Sequence, residues 1–112
     1  MMGLDLPEHD WKILSRLKPL ALERLCQGIL RGAQDLLASV PEGEAHRAYL
    51  DLYKYIQDSD KVLAGCFDWR RSQALLILAN WRQEELLTDE EFARFSPEAR
   101  QKAEVVAQIR AG

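Results

Sequence analysis

Two long apolar rows, each repeating at the helical period, flank the segment SVPEGE at residues 39–44. No other feature constrains the fold of this chain as strongly. Trp11, Leu14, Leu17, Ala21, Leu22, Leu25, Ile29, Ala33, Leu36 and Val40 mark the first row. Ala45, Tyr49, Leu52, Tyr53, Ile56, Leu63, Phe67, Ala74, Leu78 and Trp81 mark the second. At about 100° per residue each set falls on one face of a helix. Sustained alternation of the kind that marks a strand is absent, and β-branched residues are scarce. The expected fold is all-α: a long antiparallel helical hairpin over about 6–39 and 44–87.

The hairpin has two ambiguous points. Pro19 lacks an N–H and disfavours helical geometry at Lys18, so the first arm reads as helices at about 6–18 and 19–39, or as one kinked helix. In the second arm a lone Gly65 costs about 1 kcal/mol against Ala without ending a helix. The reading is therefore one helix over 44–87, bent near 58–65, with a break in QDSDK (57–61) as the alternative. Start signals are plainer. Asp5, Pro7 and Glu8 open the first helix. Thr88 with Glu91 forms a capping box, and Ser96 with Pro97 and Glu98 starts a last helix. Two short helices, at about 89–95 and 97–110, are expected to close the hairpin. Residues 1–112 read as a single domain.

Charge narrows the function classes. The net charge of −3 arises entirely within residues 84–112, where four basic residues meet seven acidic ones. Those acids sit mainly at the two expected helix starts, where the helix dipole favours them. No segment forms a basic stripe, so a nucleic-acid partner is not expected. The longest apolar run, Ala74 to Ala79, is far shorter than the roughly 20 residues that span a bilayer. With no signal-peptide pattern at the start, the expected setting is cytoplasmic, without a membrane partner. Cys26 and Cys66 then read as thiols used as small apolar side chains.

No catalytic, cofactor or metal motif stands out. The sequence lacks a nucleophile elbow and a phosphate-binding glycine loop. Glu42 and His46 are spaced i,i+4, but no second such pair exists and Glu42 belongs to the turn. The expectation is no cofactor, no metal and no catalytic residue.

The second arm carries apolar residues on two faces, and a helix of about 40 residues would span about 60 Å, far beyond a compact domain. Tyr55, Val62, Trp69 and Leu76 fall together opposite the main row, which makes them the expected interface of a homodimer. Asp60, Arg70 and Arg71 flank the main row and are the expected polar seam between two crossing helices. The expected role is non-enzymatic protein–protein contact. The alternative is a ligand-binding or catalytic bundle with a polar pocket near Asp60, Arg70, Arg71, Tyr49 and Tyr53.

Overall fold

The computed structural model describes residues 3–111, with side chains for residues 3–109, so Arg110 at the end of the last expected helix lies outside the described side chains. Five α-helices and one short 3-10 turn follow in order, with no strand among the described residues. Helix α1 runs Glu8–Leu37, α2 Ala45–Cys66, α3 Ala74–Gln83, α4 Asp89–Phe92 and α5 Pro97–Ala111. The all-α class and the two closing helices match the sequence expectation.

Helix α1 passes through Pro19 without a break. Pro19 and Ser15 both lie on the exposed side of the helix. The carbonyl that loses its helical partner there faces solvent, where a lost hydrogen bond costs little. The start differs from expectation. Pro7 is the N-cap, no side chain caps the helix, and Asp5 lies upstream of the first turn.

The expected single helix over 44–87 is two helices. α2 ends at Cys66, an extended link carries Phe67–Arg70, and a 3-10 turn at Arg71–Gln73 leads into α3. Nothing local stops α2, since Gly65 sits inside the helix rather than beyond it. The stop is tertiary. Asn80 Nδ2 donates to the Gly65 carbonyl at 2.9 Å, and Trp81 Nε1 donates to the Cys66 carbonyl at 2.8 Å. Two carbonyls at the end of the helix thus receive side-chain donors from the next helix. Folding back also places the most apolar segment inside the molecule.

That segment is α3. Ala74, Leu75, Ile77, Leu78, Ala79 and Trp81 are buried, as its all-round apolar character requires. α1 and α2 cover part of it, and its most extensive contact is with α5. The core therefore sits at one end of the molecule, where Leu14, Leu17, Ala21 and Leu25 of α1 meet α3, Phe95, Ala99 and Ala103. α3 stops at a turn in which Leu86 N–H reaches the Trp81 carbonyl at 2.9 Å, with Glu85 in the left-handed region at φ 57°. The Thr88–Glu91 capping box forms in full at α4. Ser96 caps α5 through the Ala99 N–H at 3.2 Å.

The outcome is an elongated molecule of 55 × 27 × 22 Å. Its radius of gyration is 16.7 Å, against about 13 Å for a compact domain of this length. The hairpin projects beyond the core, and that projection is where the candidate site lies.

Candidate interaction surface

Among the described residues, the two helices of the outer hairpin have only each other to pack against. Their facing sides are fixed by Tyr55, whose hydroxyl donates to the Ile29 carbonyl at 2.8 Å. Gly32 allows this approach, because a Cβ built there would overlap the Tyr55 side chain. Gly43, at φ 86°, turns the chain between the helices, and Glu44 N–H closes the turn on the Pro41 carbonyl at 3.1 Å.

From this seam the remaining faces can be placed. Cys26, Ala33 and Leu37 lie about a quarter to a third of a turn from the α2-facing side of α1. Tyr49, Tyr53 and Ile56 lie about the same angle, in the same rotational sense, from the α1-facing side of α2. Because the helices are antiparallel, the same sense puts both rows on one side of the hairpin. The other side of the seam carries Arg24 and Gly28 beside Leu86, where the α3–α4 connection covers it. One side is covered and the other is open.

The open side is apolar. Leu30 is 64% exposed, Tyr49 62%, Tyr53 56% and Ile56 47%. Leu22 and Leu37 are exposed beside them. Single exposed apolar residues are ordinary, but a contiguous group on a soluble protein marks a binding surface. The sequence expectation placed Tyr49, Tyr53 and Ile56 on the buried row. They have the right periodicity for burial, but α3 and α5 do not reach that far, so among the described residues nothing covers them.

The expected interface residues stand elsewhere. Trp69 is half-buried within an aromatic cluster, its ring 5.2 Å from Trp11 and 6.1 Å from Trp81. Lys18 Nζ lies 4.3 Å from the Trp69 ring centre, an arrangement in which the cation faces the electron-rich ring. Val62 is half-buried against the core, Leu76 is half-buried on α3, and Tyr55 is half-buried in the hairpin seam. These four do not share one helical face, because the break after Cys66 removes the geometry that aligned them.

The expected polar seam is also dispersed. Arg70 pairs with Asp68, two residues away, which holds the Asp68 carboxyl below its ordinary range. Arg71 pairs with Glu8 at the start of α1 and lies 5.8 Å from the Trp11 ring. Asp60 remains on α2, exposed, with Arg70 and Arg71 past the end of that helix. Tyr49 and Tyr53 precede Asp60 on α2 by about 17 and 11 Å. The residues of the pocket alternative are therefore not gathered. The hollows that exist are lined by other residues, such as Pro41, Arg47 and Asp51 at the hairpin tip.

Among the described residues no group of three or more His, Cys, Asp or Glu is placed to hold a metal, and no helix is long and apolar enough to cross a membrane. Comparisons with protein family models, curated proteins and solved structures give no match.

One signal for the open surface was present in the sequence. Tyr49, Tyr53 and Ile56 are spaced 4 and 3, a seam spacing, and two of the three are tyrosines. A tyrosine-rich apolar row tolerates water better than a leucine-rich one, and tyrosine is enriched at interfaces. What periodicity lacks is any statement of which elements cover which stretch of row.

Proposed function

We propose that this protein is non-enzymatic and acts through protein–protein contact, as a homodimer joined through the open side of its hairpin. The carrying observation is the apolar row of Tyr49, Tyr53 and Ile56 beside Leu30 and Leu37, exposed on a projecting two-helix arm. Surface area supports a second copy as the occupant. The chain exposes 7563 Å², whereas a compact monomer of 12.9 kDa exposes about 6,300 Å². The excess, about 1,200 Å², is comparable with the roughly 800 Å² that each partner hides in a standard interface. Two arms packed face to face make a four-helix bundle, the usual solution for helices with one unsatisfied face. A cytoplasmic setting belongs to the same reading, in keeping with a chain that carries only two cysteines.

Light scattering on the purified chain at micromolar concentration tests the proposal. A mass of twice 12.9 kDa is expected. Tyr53→Asp, at an exposed position, should return it to the monomer mass with the helical circular dichroism unchanged. A wild-type mass of 12.9 kDa would remove the proposal.

A further inference from the structure

The open row of α2 has a symmetry of its own. It runs His46, Tyr49, Tyr53, Ile56, Asp60, with spacings of 3, 4, 3 and 4, and all five residues are exposed. Tyr53 is the midpoint, seven residues from a basic-type side chain at one end and seven from a carboxylate at the other. The spacing is that of a coiled-coil seam, in which apolar residues meet a facing helix and polar ones set register. An isologous contact places residue i against j and j against i. When two such rows cross antiparallel with the axis at Tyr53, His46 of each copy meets Asp60 of the other.

We infer that two copies of this chain associate through a twofold axis at Tyr53, with their hairpins antiparallel. The inference rests on the self-association reading and adds its geometry. Three observations select it. First, a carboxylate inside an apolar interface requires a donor. His46 supplies one, since a neutral or charged imidazole donates at least one N–H. Second, the α1 half of the open side has a matching spacing. Cys26, Leu30, Ala33 and Leu37 are spaced 4, 3 and 4, and the small Ala33 lies roughly level with Tyr53 across the Tyr55–Gly32 contact. Third, the parallel alternative lays α2 on α1 of the other copy. Asp60 would then face the stretch of α1 that holds Leu22, Glu23 and Cys26, which brings a second carboxylate toward it instead of an imidazole. The antiparallel arrangement also keeps the two cores at opposite ends, each on the covered side of its own hairpin.

Cysteine cross-linking under mild oxidation, in a Cys26→Ala background, tests the geometry. A disulfide forms only where Cα atoms approach within about 7 Å. Tyr53→Cys sits on the axis and should convert the monomer band of a denaturing gel to a dimer band. His46→Cys and Asp60→Cys should each stay monomeric alone, because each faces a different residue, and should cross-link to one another when the two variants are mixed. Should His46→Cys link to itself, or Tyr53→Cys stay monomeric while light scattering still reports a dimer, the antiparallel axis is overturned and self-association stands. A monomer mass for the background protein overturns both. Since Tyr53, His46 and Asp60 are all exposed, none of these variants should impair folding, and circular dichroism of each checks this.

Discussion

Arg24 and Glu91, 67 positions apart in the chain, meet through two hydrogen bonds of 2.6 and 3.1 Å. Arg24 also donates to the Leu86 carbonyl at 2.8 Å. Glu91 in turn accepts the Thr88 N–H at 2.9 Å and closes the capping box of α4. One arginine on α1 therefore fixes the α3–α4 connection against the hairpin, and does so on the covered side. This contact helps decide which side of the hairpin remains open.

Removing the carboxylate should loosen that joint. Glu91→Ala loses the charge-assisted pair and half of the capping box, an expected cost of about 2–3 kcal/mol. Glu91→Gln keeps the shape and a cap acceptor and should cost about 1 kcal/mol. Chemical denaturation midpoints check the order. Equal stability of Glu91→Ala and the wild type would show that the joint contributes nothing.

The same pair predicts a pH dependence. Hydrogen bonding to Arg24 holds the Glu91 carboxyl below its ordinary value of 4.5, outweighing burial, with the Thr88 N–H adding to it. A carboxyl whose folded pKa lies below its unfolded one contributes stability that is fully present above the unfolded value. That contribution is lost as pH falls below about 4.5 toward the depressed folded value. Denaturation of wild type and Glu91→Gln at a series of pH values checks the sign. The gap between them should be constant near neutral pH and should narrow in acid. A gap that widens in acid would contradict it.

Asp10 is fully buried and accepts both the Ser96 N–H and the Ser96 hydroxyl, each at 2.7 Å. It fastens α1 to the start of α5. Asp10→Ala leaves the half-buried Ser96 N–H and hydroxyl without their acceptor, an expected cost of about 2–3 kcal/mol. Ser96→Ala keeps the backbone bond to Asp10 but loses the hydroxyl bond and the cap, and should cost less, about 1–2 kcal/mol. Urea titrations of both variants, with amide exchange across α5, give the ranking. Ser96→Ala proving the more damaging would reverse the assignment.

Two glycines in α1 should respond oppositely to alanine. A Cβ at Gly28 meets nothing within 4 Å, so Gly28→Ala should stabilise by about 0.5–1 kcal/mol through helix propensity alone. A Cβ at Gly32 would overlap the Tyr55 side chain, so the ring must leave and give up its bond to the Ile29 carbonyl. That loss of about 1 kcal/mol or more offsets the propensity gain, and Gly32→Ala should be neutral to destabilising. Thermal melts of the two variants show the contrast, and equal gains would indicate that Tyr55 yields freely.

Much of this protein is fixed by local chemistry. The 3.6 period makes the chain helical, SVPEGE turns it, and Thr88–Glu91 and Ser96–Pro97 start α4 and α5 where their residue types demand. These features need only neighbours within a turn or two. The end of α2 is different, because its stop is supplied by Asn80 and Trp81, 15 residues further along. So are Arg24–Glu91 and Asp10–Ser96, whose partners meet only after α3 folds back. Burial of the apolar rows belongs to the same class. Leu14 and Tyr53 carry equally good periodicity, yet one is in the core and the other faces outward. Periodicity assigns a residue to a face of its helix. Only tertiary packing, through the reach of α3 and α5, decides whether that face is covered.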